Sequence, residues 1–535
     1  MSSTNTRQGP LFWILLVIFL SIGAWWVFYI PYQPERTFSA IPINASVVSV
    51  HRNLAGEWDN VLTNPMILRA LQAAGVEEAD LDKVKADPVV KEWVDKLVSD
   101  QTVLAYVPSL GTQQKPALVC ASWIGGQSRR LRWQLAWIKS RDLMPVKLNE
   151  GELTVWLSRT KFGKSNLRLS LALTEGMVLA CISEDPVGVR TLLEAAEAYP
   201  GRLTVAMAHK PDEAIRLLNR SPRHWGWIDT QCDMMAYELI LDPERLTLYL
   251  NGHLAIPAAP PLSATSGLKT VKELTGTTSD LTAIIPLSWA QPLLGVESNM
   301  LWLDALRSLC DTNGTPPDAL AFVALLNQQH NGRLRGPMGS VLRGFIKGVK
   351  TPTLLVGLQV GSRDAADIRI KEAITKLNSQ YNLSLVLRPA DTDGAAGLTL
   401  IEESRKNFYG AFEPDECVAY AMSGDWLILA SNASVLKKIL GTPHEGAPAW
   451  GPLSSPAPSA LGWVNLSSVS PTVKNAAGVL KLATLASSSN QSSELREKLN
   501  QAGLWADVLR ALNQAKVSVG TTGPIFQAKL EIGKP

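Results

Sequence analysis

The sequence predicts an α+β protein with an N-terminal transmembrane helix and two related domains, each a mainly antiparallel sheet with helices packed on one face. Three observations lead to this prediction. A run of twenty uncharged residues lies near the N-terminus, and strand patterns often follow one another without a helix between them. The order of strands and helices in the first half also recurs in the second.

The uncharged run covers residues 11–30. At a rise of about 1.5 Å per residue, it is long enough to cross a hydrocarbon layer of about 30 Å. Aromatic residues of the kind that favour the headgroup level lie near its two ends: Trp13 near the first, and Trp25, Trp26, Tyr29 and Tyr32 near the second. A cleaved signal peptide is the alternative, and a buried core helix is a second. We favour an uncleaved signal anchor, because the apolar run continues past the small residues at 21–23.

The anchor divides the chain into segments. Residues 1–10 are predicted to be a cytoplasmic tail, and Arg7 weakly supports that orientation. The remainder is then extracytoplasmic, held at the cytoplasmic (inner) membrane by a single pass. The segments that follow the anchor are a linker at 31–44, a first α+β domain at 45–255, a Pro/Ala/Ser linker at 256–280 and a second α+β domain with a helical insertion at 281–535.

Alternating and helical patterns predict the elements of the first domain. A strand at 45–52 is followed by helices at 64–74 and 87–97, which begin at Asn-Pro and Asp-Pro pairs suited to a helix start. Further strands are predicted at 102–107, 117–123, 152–158, 167–173, 177–183 and 202–208. Further helices are predicted at 128–141, 186–198 and 211–219, and a closing hairpin at 235–241 and 246–253.

Four landmarks indicate an internal repeat. The strand and helix from Val47 match those from Leu281, and the strand, glycine turn and helix from Pro116 match those from Pro352. The strand from Gly176 matches the strand from Gly424. The hairpin at 235–253 matches 515–532, and the largest insertion is predicted at 469–513. Because the order is the same in both halves, the pattern favours duplication over chance similarity of two α+β domains.

This arrangement of an anchor followed by tandem copies of PALV-type strand, helix and GMVLACIS-type strand resembles bacterial membrane-anchored extracytoplasmic tandem-domain proteins of unassigned function. The resemblance covers most of residues 41–533 and rests on pattern, without a diagnostic motif. It implies a location in the cell envelope and a tandem architecture. It implies no catalytic residues.

Composition excludes several functional classes. The net charge of +3 is too small to indicate a nucleic-acid partner. The five cysteines are scattered, which is typical of neither a disulfide framework nor a zinc site. Cys120 and Cys181 lie in predicted strands, where they could form a bridge or remain buried free thiols, and free thiols are favoured.

No motif indicates catalysis, a metal or a cofactor. The sequence at 163–165 resembles the end of a phosphate-binding loop, but Ser158 occupies the position of its first glycine. Two S-x-x-K patterns, at Ser266 and Ser434, lack the accompanying motifs of serine acyltransferases. The six histidines are dispersed without metal-ligand spacing. The prediction is therefore a non-enzymatic protein without a cofactor.

Two surface features remain as candidate contacts. Basic residues on two predicted helices could meet a membrane surface or a partner, although an ordinary solvated helix face is the favoured explanation: Arg129, Arg130, Arg132, Arg343, Lys347 and Lys350. Seventeen tryptophans could also line an apolar groove. We therefore expect a scaffold or interaction protein of the cell envelope. A carrier of a lipid or another apolar ligand is the alternative, and an unrecognised hydrolase is the third hypothesis.

Overall fold

The structure is a computed structural model of the chain. It describes residues 16–19, 21, 29–64, 67–68, 82, 85–98, 100–110, 114–137, 143–148, 153–159, 166–197, 205–229, 234–242, 245–253, 279–286, 289, 308–309, 320–330, 351–360, 362–390, 397–404, 417–441, 458–471, 474, 499, 503, 506–510, 512–522 and 525–533. The chain divides into two compact units. The first comprises Met1–Thr63 and Ala74–Ile240, and the second comprises Asn64–Ala73 and Leu241–Pro535.

The predicted transmembrane helix and signal anchor are wrong. Among the helices of the described residues, none is both long enough and apolar enough to cross a membrane. Ile30, the last residue of the predicted anchor, packs against the core of the first unit. Tyr32 lies edge-on to Trp123 of that core, with ring centroids 6.3 Å apart. These two side chains therefore contact protein at the point where the prediction placed the lipid headgroups.

The first unit combines helices and strands whose bounds follow the apolar alternation of the sequence. Its helices are α1 (Arg36–Ser39), α2 (Trp58–Thr63), α3 (Pro88–Leu97), α4 (Gln127–Trp137), α5 (Val189–Glu197) and α6 (Val205–Leu218). Its strands are β1 (Val47–Arg52), β2 (Gln101–Leu110), β3 (Lys115–Trp123), β4 (Leu143–Leu148), β5 (Leu153–Ser158), β6 (Arg168–Thr174), β7 (Met177–Ser183), β8 (His224–Asp229) and β9 (Met234–Leu241).

These nine strands form one antiparallel sheet in the order β4-β5-β6-β7-β3-β2-β1-β8-β9. Successive side chains of a strand point to opposite faces of a sheet. On β7, Leu179 lies in a core that includes α5 and α6, whereas Val178 lies in a separate core with Leu131 of α4. Helices therefore pack on both faces of this sheet, and the prediction of helices on one face is wrong.

The second unit has the same kind of construction. Its helices are α7 (Arg363–Tyr381) and α8 (Ala433–Gly441). Its strands are β10 (Arg245–Gly252), β11 (Ser279–Pro286), β12 (Leu320–His330), β13 (Thr351–Gln359), β14 (Leu385–Pro389), β15 (Thr399–Glu403), β16 (Val418–Ser423), β17 (Trp426–Ala430), β18 (Ala460–Asn465), β19 (Gln514–Thr522) and β20 (Ile525–Gly533).

The strand order of the second sheet is β14-β15-β16-β17-β13-β12-β11-β18-β19-β20-β10. Its first nine strands follow the order of the first sheet, position by position. Helix α8 packs on one face, in the core that contains Leu436, and α7 packs on the other, in the core that contains Ile370. A duplicated domain would produce this shared order.

One predicted strand is wrong, and several predicted segments lie outside the described residues. Residues 205–208, predicted to end a strand, instead begin α6, which continues through Pro211 to Leu218. The predicted linker at 256–280 lies almost wholly outside the described residues. So do the predicted helix at 64–74, apart from residues 64, 67 and 68, and most of the predicted insertion at 469–513.

Candidate functional site

A cavity of about 380 Å³ lies in the second unit between α7 and the sheet. Fourteen of the described residues line it, and thirteen of those have apolar side chains. They are Leu309, Leu354, Val356, Ile370, Ala373, Ile374, Leu377, Leu383, Leu385, Ile401, Val418, Leu429, Ala430 and Ser431. They come mainly from α7 and from the face of the sheet that α7 covers.

Helix α7 forms the roof of the cavity. The Ser362 hydroxyl caps its N-terminus by accepting a hydrogen bond from the Ala365 amide at 3.2 Å, and Asn382 in the left-handed conformation ends it. Ile370, Ile374 and Leu377 follow one another at helical spacing on its inner side. Seven residues of helix extend over about 10 Å. The cavity therefore runs for about 10 Å along the helix axis.

The connection from α7 to β14 forms one wall, and Asn378 holds it in place. The Asn378 side chain accepts a hydrogen bond from the Leu385 amide at 2.8 Å and donates one to the Leu385 carbonyl at 3.1 Å. This pair of bonds fixes Leu383 and Leu385 against the helix that carries Ile374 and Leu377. The wall is thus held by hydrogen bonds between the Asn378 side chain and the Leu385 backbone, independently of what fills the cavity.

The cavity opens to solvent near its polar end. Val418 is 43% exposed, and Ser431 is also exposed. The Ser431 hydroxyl accepts a hydrogen bond from the Leu354 amide at 3.0 Å, so it is oriented along the rim. Ser431 is the single polar side chain among the described lining residues, and no ionisable side chain belongs to that set. The site can hold an apolar body and offers no general acid or base.

A second unusual feature is a buried polar network in the first unit. Ser49 Oγ lies 2.8 Å from His51 Nε2, and His51 Nδ1 lies 3.2 Å from His224 Nδ1. The Tyr237 hydroxyl beside them donates to the Val48 carbonyl at 3.1 Å. Strand pairing creates the network, because His51 and His224 lie directly opposite each other on β1 and β8.

Burial, and then the neighbouring His224, lowers the pKa of His51 from its ordinary value of 6.5 to about 4. Burial also lowers the pKa of His224. Both rings are therefore neutral at pH 7. If His224 Nδ1 donates to His51 Nδ1, the His51 Nε2 proton points to Ser49, and His224 Nε2 retains only a lone pair. That assignment fits His224 Nε2, which is buried without a hydrogen-bond partner among the described residues.

A serine within reach of a histidine is the geometry of an activated nucleophile. Here, however, the second histidine nitrogen faces another neutral histidine, and His51 is only 7% exposed. A pKa of about 4 also makes His51 a weak base at neutral pH. The network therefore favours a structural role, and a hydrolase is not supported by it.

The histidine pair makes the first unit sensitive to acid. The pKa of His51 is lower in the folded chain than in the unfolded chain, so below about pH 6.5 the unfolded chain binds more protons. The contribution of this histidine to the free energy of unfolding is therefore fully present above about pH 6.5 and is lost as the pH falls towards 4. Between pH 7.5 and pH 5, we expect the opening free energy of β1 and β8 to fall by about 2 kcal/mol. Hydrogen–deuterium exchange of peptides covering these strands measures it.

Strands β11 and β18 provide the internal control, because Ile285 and Ala460 occupy the positions that correspond to His51 and His224. Their opening free energy should change less over the same range. The double substitution His51→Ile and His224→Ala should remove the acid dependence from β1 and β8. Equal acid dependence in the unsubstituted and doubly substituted chains would contradict the role given to the pair.

The structure describes about half of the residues predicted from sequence as contacts. Tyr29 is exposed, and Tyr32 meets Trp123. Arg129 forms a salt bridge with Glu175 at 2.7 Å, and Arg132 donates to the Leu173 carbonyl at 2.9 Å. Arg130 is exposed on α4. The others lie outside the described residues: Trp13, Trp25, Trp26, Arg343, Lys347 and Lys350.

The two strand cysteines do not form a bridge. Cys120 and Cys181 are both free thiols. In the register of β3 and β7, Cys120 lies opposite Ala180, and Cys181 lies opposite Val119. Adjacent register positions place the two side chains on opposite faces of the sheet. Burial raises the pKa of Cys120 to about 12 and that of Cys181 to about 11, so both remain protonated at neutral pH.

Comparison with known proteins adds little to this geometry. No protein-family model matches the chain, and no curated protein matches it. Among solved structures, the chain is similar to one described as "Structure of crystal form I of TP0453". The sequence identity is 11%, the match covers 76% of this chain and 96% of that chain, and the TM-score is 0.20. A TM-score this low carries no argument about fold or function.

Proposed function

We propose that the second unit binds a chain-like apolar molecule, such as the acyl chain of a lipid, in the cavity beneath α7. The observation that carries this proposal is the combination of volume and lining: about 380 Å³ lined by thirteen apolar side chains and one serine. Ligand sites commonly occupy roughly 300–1,000 Å³ and have mainly apolar walls with few polar groups. A cavity that runs for about 10 Å along a helix has room for an alkyl chain.

The energetics are sufficient for binding. Each methylene transferred from water into an apolar site contributes about 0.8 kcal/mol. Wall side chains such as Ile370 and Leu429 have no hydrogen-bonding atoms, so an alkyl chain leaves no polar group unsatisfied there. A polar head would remain near Ser431, where the cavity meets solvent. This arrangement suits a single chain that enters tail first.

Two measurements on the full chain test the proposal. In the first, N-phenyl-1-naphthylamine, a neutral apolar fluorophore, should bind saturably and be displaced by dodecanol but not by butanol. In the second, organic extraction of chain purified without detergent from its own cells should release a long-chain molecule in a ratio of about one per chain. A lack of saturable binding, or displacement by butanol equal to that by dodecanol, would contradict the proposal.

The sequence led to two main hypotheses, a scaffold and a carrier of an apolar ligand. The proposal favours the carrier. A scaffold needs filled cores, whereas a carrier needs an apolar space. It remains a prediction that the protein has no enzymatic activity, no cofactor and no nucleic-acid partner. So does the extracytoplasmic location at the cell envelope.

A further inference from the structure

The core beneath α7 is hollow at one end and filled at the other. On β13, Val356 belongs to the described lining of the cavity, whereas Leu358, the next residue on the same face of the strand, does not. On the neighbouring strand β17, Leu429 lines the cavity and Leu427 does not. Leu358 lies opposite Leu427, and both side chains are buried in the core beneath α7. On the sheet side, the cavity therefore ends in front of this pair of leucines.

Helix α7 and strand β16 close the same end of the cavity. Ile370 of α7 lines the cavity, whereas Ala366, one helical turn towards the N-terminus, is fully buried and does not. The Tyr420 ring of β16 lies in the same core, and its hydroxyl donates a hydrogen bond to Asp367 Oδ1 of α7 at 3.1 Å. This bond ties the ring to the helix at the filled end. The residues that close this end form what we call the end wall: Leu358, Ala366, Tyr420 and Leu427.

The mouth lies at the opposite end of the cavity from the end wall. Val418, which is exposed at the mouth, precedes Tyr420 by two residues on the same face of β16. The cavity between mouth and end wall runs along α7 for about 10 Å. A zigzag of carbon–carbon bonds of about 1.5 Å advances about 1.3 Å per carbon, so an extended chain of about eight carbons spans this depth.

We propose that the end wall sets a chain-length limit, and that the ligand is a single-chain amphiphile of which about eight carbons are enclosed. This inference rests on the proposed function, because it concerns the same cavity. Each methylene that enters the cavity should raise affinity about fourfold until the tail reaches the end wall. Further methylenes would remain outside the mouth in water and would add little affinity. The limit is thus a property of a few side chains at one end of α7.

Displacement of N-phenyl-1-naphthylamine from the full chain by hexanol, octanol, decanol and dodecanol measures the limit. Affinity should rise about fifteenfold from hexanol to octanol, and less than about threefold from octanol to decanol. In Leu427→Ala the end wall recedes, so the gain from octanol to decanol should increase to about tenfold. Ile370→Phe fills the deep end of the cavity instead, so the gain from hexanol to octanol should fall below about threefold. This second variant tests the limit without removing a core side chain.

Leu436→Ala is the matched control for Leu427→Ala. Leu436 is also fully buried, but it lies on α8 in the core on the other face of the sheet, so its truncation should leave the chain-length limit unchanged. Circular dichroism checks the fold of each variant. A constant gain per methylene up to dodecanol, or the same limit in all variants, would overturn the end wall and leave the proposed function standing. A chain that binds no fluorophore saturably would overturn both.

Discussion

Replacing Ala373 by tryptophan is expected to reduce the binding of N-phenyl-1-naphthylamine by at least thirtyfold. Ala373 is buried on the inner side of α7 and lines the cavity, so the indole would occupy the space proposed for the ligand. In a filled core the same change would cost about 1–3 kcal/mol through overpacking. In an empty cavity it adds apolar contacts, and the free energy of unfolding should stay the same or rise. Probe titration and urea unfolding measure the two effects.

Thr375→Trp is the matched control, because Thr375 lies two residues along the same helix and is exposed. It adds the same indole without entering the cavity, so it should leave probe affinity within twofold. If Ala373→Trp destabilised the chain and left binding intact, the space would already be filled by protein. The proposed function would then be wrong.

The substitution Gly226→Ala is expected to destabilise the first unit by at least about 3 kcal/mol. Gly226 lies in the middle of β8, opposite Tyr237 on β9. A methyl group there would come within 2.0 Å of the Val48 carbonyl and 2.6 Å of the Tyr237 ring. The carbonyl belongs to the backbone of β1 and cannot move away without disrupting its pairing. Thermal unfolding followed by circular dichroism measures the loss.

The second unit supplies the control for this prediction. Gly462 holds the corresponding place on β18, and its nearest neighbour would be the Val517 side chain at 3.8 Å, an ordinary contact. Gly462→Ala should therefore change stability by less than about 1 kcal/mol. A larger loss at Gly462 than at Gly226 would mean that the contacts around Tyr237 do not determine the cost.

The sequence predicted the strands that form mainly apolar runs and missed others. The strands β2, β3, β6 and β7 are such runs and were predicted to within a few residues, whereas β4 and β8 were not predicted. In β8 the two tryptophans of Trp225-Gly-Trp227 suggested an apolar groove, yet both are buried in the first core. In α6, Pro211 suggested a helix start, whereas the helix passes through it. In β8 and in α6, tertiary packing determines the structure that forms, and local sequence does not report it.

The sequence could predict that an apolar binding site exists, but neither its position nor its lining residues. Tryptophans were the residues expected to line an apolar groove, but the described lining is aliphatic. The volume left between α7 and the sheet depends on the sum of side-chain sizes across elements distant in sequence, such as Leu309, Ile370 and Val418. No local pattern reports that sum.

The strand order also determines which sheet edges could pair with a strand of another copy of this chain. In the described pairings, β4 and β14 each bond to a single neighbour and so form an outer margin of their sheets. Each carries an exposed proline and an exposed cation: Pro145 and Lys147 on β4, and Pro389 and Arg388 on β14. A proline lacks the amide proton that another strand would need, and a charge resists burial in such a junction. Both margins are therefore protected against the strand-by-strand stacking that leads to fibrils.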